Sequence, residues 1–187
     1  MNFDCKSGGD YLVRECIDCL YRANNAHRAS SWLDDLGLHM ARTHWRAGAM
    51  YASLGNQHWE PAQRKTGRPV VIIPAVELTP SPLLVDLVAV DPSNPAAWWL
   101  RTGEAICLGG DGLWMPSGEP IKVRCSPLSW AKANGDGLCI IDPLIMRTYL
   151  TGHTPPLTLI PESLEHGNAL ERTLREAAMP RIALEAA

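Results

Sequence analysis

Aromatic and cationic residues of the kind that bind nucleic acid are concentrated in the middle of the chain. Indole rings stack on bases and guanidinium groups bind phosphates, and proteins that bind single strands combine the two. This pattern predicts a surface for single-stranded nucleic acid or for a nucleic-acid-processing protein. The residues that carry the prediction are Trp98, Trp99, Arg101, Arg124 and Trp130. In an alternative interpretation one indole faces the core and Arg101 pairs with Glu104.

A polar stretch earlier in the chain carries further positive charge. Arg64, Lys65 and Arg68 lie in a segment without hydrophobic periodicity, so we expect them on an exposed loop where they would contact phosphates. The whole chain has a formal net charge of −3 and a pI near 6.0. This balance excludes binding by overall phosphate neutralisation, and any nucleic-acid contact must be local.

Two cysteines with metal-ligand spacing stand near the start of the chain. Cys16 and Cys19 form a CxxC motif, and Cys5 and His27 would complete a four-ligand zinc site. The same two cysteines, however, fall on the apolar face of a predicted helix, where free cysteine behaves as a small hydrophobic residue. The sequence therefore favours buried thiols over structural zinc, and it identifies no other cofactor.

A catalytic alternative depends on carboxylates. Asp142 follows a buried strand, and with Glu104 or Asp136 it could hold a metal ion for phosphoryl transfer or hydrolysis. No two carboxylates stand at a diagnostic spacing, and no nucleophile and base pair can be identified. The sequence consequently favours a protein that is not an enzyme.

The N-terminal part is predicted to be a helical hairpin over residues 1–55. Apolar positions recur at helical spacing from Asp10 to His27, and a second stripe runs from Ser31 to Gly55. Ser31 is the predicted N-cap of the second helix, with Asp34 completing a capping box. The polar segment 56–69 is the predicted boundary with an α/β core over residues 70–187.

The core is predicted to contain a small mixed sheet with short crossover helices. Val70–Val76 is a strand in which Pro74 indicates an edge or a bulge, while the run Leu83–Val90 fits a strand or a helix. Ser126 and Pro127 start a short helix between two strands. The remaining segments are a short helix through Trp98 and Trp99, strands at 105–108, 121–125, 138–142 and 157–160, and helices at 143–150 and 162–178. The predicted fold class is α+β, or α/β, as one compact domain with a C-terminal helix.

Residues 83–142 carry a resemblance to a known group of proteins. The strings Leu84–Pro92, Ala97–Ala105 and Ser126–Trp130 resemble a poorly characterised region of primase-like and helicase-like (Toprim-associated) proteins of proteobacterial mobile elements. The Toprim acidic signatures and the Walker motifs are absent. The resemblance implies a bacterial, phage or plasmid setting and an accessory role in nucleic-acid metabolism. It does not imply primase activity.

Composition sets the remaining expectations. The chain has no run of about 18 apolar residues that could cross a bilayer, and its start lacks the pattern of a secretory signal. We therefore expect a cytoplasmic protein without membrane contact, whose six cysteines are reduced. The seven tryptophans are also compatible with a third function, that of a purely protein-binding subunit of a larger assembly.

Overall fold

The computed structural model describes residues 4–5, 10–77, 83–110, 113, 119–152 and 157–176. Helices and antiparallel strands are largely separated along the chain, which confirms the α+β prediction. The helices are α1 (Asp10–Asn25), α2 (His27–Asp35), α3 (His39–Thr43), α4 (Pro127–Lys132), α5 (Pro143–Gly152) and α6 (Leu164–Glu176). The strands are β1 (Asp4–Cys5), β2 (Gly48–Leu54), β3 (Trp59–Pro61), β4 (Arg68–Glu77), β5 (Leu83–Val90), β6 (Trp98–Leu100), β7 (Cys107–Leu108), β8 (Ile121–Arg124), β9 (Leu138–Ile140) and β10 (Leu159–Pro161).

The larger sheet is built on β4 and β5, two apolar strands rich in β-branched residues. Its order is β1-β5-β4-β2-β3, and β6 also pairs with β5. The sheet curls until its edges meet, because the amide of Leu100 donates to the carbonyl of Gln57 (3.0 Å) and Leu100 forms a bridge with His58. We call this junction between β6 and the β2–β3 turn the seam. It brings Trp98 and its neighbours beside residues far away in sequence.

The smaller sheet has the order β10-β8-β9-β7, with β8 parallel to both of its neighbours. Helix α4 connects β8 to β9. Its start is the predicted one: the Ser126 hydroxyl accepts from the amide of Ser129, the Ser129 hydroxyl accepts from the amide of Ser126, and Pro127 follows the cap.

Two cores lie on opposite faces of the larger sheet. Helix α1 covers one face and packs Leu12, Cys16, Cys19 and Leu20 against apolar residues of β2, β4 and β5. Helices α2, α3 and α4 and part of the smaller sheet cover the other face. The approach of α1 to β2 is close, since a Cβ atom on Gly48 would lie 2.9 Å from the Cys19 carbonyl carbon.

The predicted second helix of the hairpin is wrong beyond Asp35. Helix α2 begins at His27 instead of Ser31, it has no side-chain cap, and Gly37 at φ +77° ends the helical stretch. After the short α3, residues 48–54 form β2. Ala49, Met50 and Ala52 of this segment are buried in a sheet instead of on a helix, because tertiary pairing with β4 overrides local periodicity.

The segment 56–69 connects neighbouring strands of one sheet. Strands β2 and β4 on either side of it pair directly, and the segment itself contains β3. The described residues before this segment therefore share a core with those after it.

Several local predictions for the core are settled by the same pairing. The run Leu83–Val90 is a strand, and a register shift between Ala75 and Val76 gives the bulge expected beside Pro74. The predicted helix through Trp98 and Trp99 is wrong, because these residues pair with Val90 and Ala89 as strand β6. Helix α6 lies within the predicted 162–178, of which residues 177–178 fall outside the described part of the chain.

Candidate functional site

The adjacent indoles of Trp98 and Trp99 belong to opposite faces of β6. Trp99 packs against the core under α1, and its Nε1–H donates to the carbonyl of Gly55 at 2.8 Å. Trp98 packs at the margin of the other core. Successive side chains of a strand point to opposite faces, so the two rings do not form one stacking platform.

Arg101 is committed to an ion pair. Its Nε and Nη2 donate to the two carboxylate oxygens of Glu15 at 2.9 and 3.1 Å, and both side chains are about four-fifths buried (21% and 19% exposed). The guanidinium also lies 5.3 Å from the ring centroid of Tyr11 and 5.7 Å from that of Trp59. The hydrogen bonds to Glu15 raise the pKa of Arg101. Arg101 therefore joins α1 to the sheet, and its charge is not presented to a phosphate.

Arg124 is neutralised in a similar way. Its Nη2 lies 3.1 Å from Asp136 Oδ2 and its Nη1 lies 3.3 Å from Glu162 Oε1. The hydrogen bond from Lys122, together with the charge of Arg124, lowers the pKa of Asp136. Trp130 is buried, and its indole N–H donates to the carbonyl of Gly137 at 2.9 Å. The five residues predicted to form one surface are therefore distributed over two cores and two ion-pair clusters.

Asp86 is the unusual residue that sequence reasoning missed. Its side chain is 0% exposed, and no cation pairs with it in the described part of the chain. Its Oδ1 accepts from the amides of Leu87, Arg101 and Thr102 at 2.7, 2.9 and 3.0 Å, and its Oδ2 from those of Gly103, Glu104 and Ala105 at 2.9, 2.9 and 3.2 Å. Six amide dipoles thus replace the counter-ion that a buried carboxylate normally requires. The detectable signal was an acid in the middle of an apolar strand.

A cleft of about 610 Å³ opens at the seam between the two sheets. We call it the seam cleft. One wall is the loop held by Asp86, the second is the β2–β3 turn, and the third is the end of β9. It is lined by Gln57, His58, Trp98, Leu100, Thr102, Gly103, Ala105, Ile141, Asp142 and Pro143.

Asp142, the first carboxylate of the catalytic alternative, lines the seam cleft, and its side chain is engaged in a helix cap. Asp142 Oδ1 accepts from the amides of Leu144 and Ile145 at 2.9 and 3.0 Å and so caps α5. Asp136 is held by Lys122 and Arg124, as described above. Across the described ranges, no group of three or more His, Cys, Asp or Glu residues is placed to hold a metal ion.

The proposed zinc ligands are not assembled either. Cys16 and Cys19 are buried on the inner face of α1, and the Cys19 thiol donates to the Cys16 carbonyl at 3.1 Å. Burial raises the pKa of the Cys16 thiol to about 12 and raises that of Cys19 as well, which opposes the thiolate form that zinc requires. His27 is exposed at the start of α2, and the side chain of Cys5 lies outside the described residues.

A second cavity, of about 360 Å³, lies between the ends of α1 and α2 and the β2–β4 edge. We call it the arginine pocket. Arg22, Arg28 and Arg64 line it together with the half-buried rings of Trp32 and Tyr51, and its other lining residues are Ala26, Ala29, Ala49, Met50 and Pro69. Its surface is mainly apolar with cationic groups at the rim.

The charges at the arginine pocket differ in availability. Arg22 pairs with Asp18 at 2.6 Å. Arg28 and Arg64 are exposed, and neither has a hydrogen-bond or ion-pair partner among the residues that the structure describes. Arg64 was one of three residues predicted to contact phosphates, and it lines this cavity.

The other two predicted loop residues lie close to Arg64. Lys65 is exposed in the same turn. Arg68, at the start of β4, is 75% exposed on its side chain and approaches Asp91 only at 3.7 Å. Sequence reasoning missed Arg28, Trp32 and Tyr51, although the i, i+4 spacing of Arg28 and Trp32 places them on one helix face.

Comparison of the chain with protein-family models, with curated proteins and with solved structures gave no match in any of the three. The resemblance over residues 83–142 therefore stays a prediction. None of the helices in the described ranges is both long and apolar enough to span a bilayer.

Proposed function

We propose that the protein is a non-catalytic module that binds single-stranded nucleic acid through the arginine pocket. The observation that carries the proposal is the combination of Arg28 and Arg64, whose guanidinium groups have no partner among the described residues, with the rings of Trp32 and Tyr51 around one apolar cavity. An unstacked base has an apolar face and a charged phosphate beside it. The pocket supplies a counterpart for each of these groups.

The electrostatics support a local contact. The chain is acidic overall, and the arginines of the central block, Arg101 and Arg124, are neutralised by carboxylates. Within the part of the chain that the structure describes, positive charge is left without ion-pair partners at the exposed Arg28, Arg64 and Lys65. Because an exposed guanidinium loses little by exchanging water for phosphate, these residues are suited to a strand that runs past the pocket.

The setting that we propose is the cytoplasm of a bacterium, in the nucleic-acid metabolism of a phage or plasmid. The resemblance of residues 83–142 supports this part, and the pocket chemistry is compatible with it. An accessory role is favoured over catalysis, because Asp142 and Asp136 are engaged in a helix cap and in ion pairs.

The proposal is tested by the fluorescence anisotropy of a labelled single-stranded oligonucleotide titrated with protein at several salt concentrations. The double variant Arg28→Ala/Arg64→Ala should bind more weakly. The slope of log K against log[salt] should become shallower by about 1.4 units, because two phosphate contacts are lost and each contributes about 0.7 on a single strand. The matched control is Arg14→Ala/Arg172→Ala, which removes two exposed arginines outside the pocket.

Tyr51→Leu separates stacking from charge. It keeps an apolar side chain but removes the ring, and we expect an affinity loss corresponding to about 1–3 kcal/mol with an unchanged salt slope. Equal binding by the wild type and the double arginine variant would refute the site. Absence of binding by the wild type would refute the function and leave the protein-binding subunit as the better interpretation.

A further inference from the structure

We propose that the seam cleft is a second binding site, which recognises a nucleobase through an amino group on the base edge. This inference concerns a cavity with no residue in common with the arginine pocket, and it does not depend on strand binding there. The base could belong to a free nucleoside or to a nucleotide of a strand. The contacts in the cleft would be the same.

The first argument is the rigidity of the cleft wall. Thr102, Gly103 and Ala105 belong to the loop whose amides are fixed by the buried carboxylate of Asp86. The Thr102 hydroxyl adds a bond to the carbonyl of Val85 at 3.2 Å. A wall held by a buried charge is preorganised, as a ligand site requires, because little conformational entropy remains to be lost on binding.

The second argument is the close fit of the opposite wall. A Cβ atom built on Gly103 would lie 3.0 Å from His58 Cε1, so the imidazole packs directly against the loop backbone. Gly103 has φ +87°, a conformation that favours glycine and leaves this space for the ring. His58 and Trp98 thus place two flat rings on one cleft whose volume, about 610 Å³, is in the range of small-molecule sites.

The third argument concerns charge. No lysine or arginine lines the seam cleft in the described part of the chain, whereas Asp142 contributes a carboxylate. Oδ1 of this carboxylate is occupied by the α5 amides, and Oδ2 accepts no hydrogen bond from any described residue. Such a site disfavours phosphate and favours a hydrogen-bond donor. Since two aromatic rings also line the cleft, the matching ligand is a planar base that donates from an amino group.

Cytidine and uridine form a matched pair for the test. At the same ring position cytosine carries an amino donor and uracil a carbonyl acceptor. The wild type should prefer cytidine by about tenfold, the discrimination expected of one well-placed edge contact. Binding is followed by protein NMR during nucleoside titration, with the indole resonance of Trp98 assigned from Trp98→Phe.

Asp142→Asn is the informative variant. Asparagine caps helices as well as aspartate does, and its carbonyl must accept the amides of Leu144 and Ile145. Its NH₂ group would then replace the free oxygen in the cleft. The preference should therefore disappear or invert toward uridine, while the fold is kept.

Two further comparisons complete the design. His58→Ala should weaken both nucleosides equally, with His27→Ala, an exposed histidine outside the cleft, as its control. Titration with oligocytidylate and oligouridylate distinguishes the two sources of the base. If Asp142 determines a preference for cytosine over uracil only in the strands, the natural ligand is a base of a strand. If the same preference is found with nucleosides, the natural ligand is a free nucleoside.

The inference is overturned if neither format discriminates cytosine from uracil, or if the Asp142→Asn variant keeps the wild-type preference. Failure here is distinguishable from failure of the proposed function, because the double arginine variant Arg28→Ala/Arg64→Ala should retain the nucleoside preference.

Discussion

Asp86→Asn tests whether the buried carboxylate organises the loop between β6 and β7. Asparagine has nearly the same shape as aspartate but only one acceptor oxygen. Whichever way the amide is oriented, three of the six backbone N–H groups face an NH₂ group in place of an oxygen. At least two of them are left without an acceptor, since the amide of Arg101 also donates to the carbonyl of Leu87 at 3.0 Å. A purely steric role of Asp86 would be preserved by this substitution.

The magnitude follows from the count of lost bonds. Each buried N–H group left without an acceptor costs about 1–3 kcal/mol, so the loss for at least two amides should lower the free energy of unfolding by roughly 2 kcal/mol or more. A domain is stable by only about 5–15 kcal/mol. We therefore expect a protein that folds but unfolds at much lower denaturant concentration.

The assay is urea unfolding followed by tryptophan fluorescence, with the slope m compared between variants to establish that the same surface is exposed. Glu104→Gln is the matched control, since Glu104 belongs to the same loop and its side chain is exposed. The control should change the free energy of unfolding by less than about 0.5 kcal/mol. A loss below about 1 kcal/mol for Asp86→Asn would refute the reasoning, because it would mean that the six bonds are not retained in solution.

Two shorter predictions concern helix α1 and the thiols. Gly48→Ala should lower the free energy of unfolding by about 1–3 kcal/mol, because its Cβ would lie 2.9 Å from the backbone of Cys19, whereas Gly152→Ala, with no atom within 4 Å, should be neutral in the same urea assay. Iodoacetamide at pH 8 should modify Cys125 of the native protein slowly, because this thiol is accessible but partial desolvation raises its pKa. Cys16, whose burial raises its pKa to about 12, should react only after unfolding. Mass spectrometry of peptides checks this, and rapid native modification of Cys16 would contradict the packing of α1.

The parts of the fold that the sequence predicted are those decided by local chemistry. The capped start of α4 needed only Ser126, Pro127 and their backbone, and the bulge beside Pro74 followed from its missing N–H. The prediction of a helix over residues 48–54 was wrong because the spacing of their apolar side chains is compatible with a helix and with a strand. Pairing with β4, some twenty residues away, decides between them.

The candidate sites were less accessible to sequence reasoning, because each depends on long-range contacts. The spacing of Trp98, Trp99 and Arg101 is the same whether the residues form a platform or a core. The choice is made by Glu15, which lies on another element and takes the guanidinium. Conversely, the arginine pocket combines residues of α1, α2, β2, β4 and the loop after β3, which no sequence motif connects.

The aromatic and cationic residues around the seam, which include Trp59, Trp98, Trp99 and Arg101, form a block that closes the larger sheet. This structural role decides which of their side chains can bind a ligand. The indole N–H of Trp59 donates to the carbonyl of Leu87 at 2.8 Å, and that of Trp99 to the carbonyl of Gly55 at 2.8 Å. Each bond connects the β2–β3 side of the seam with the β5–β6 side, and Arg101 ties the same region to α1. Because these donors are used to close the sheet, they cannot also bind a ligand. Trp98 lies on the other face of β6, where closure leaves the seam cleft, and it is consequently the residue of the block through which ligand binding is expected.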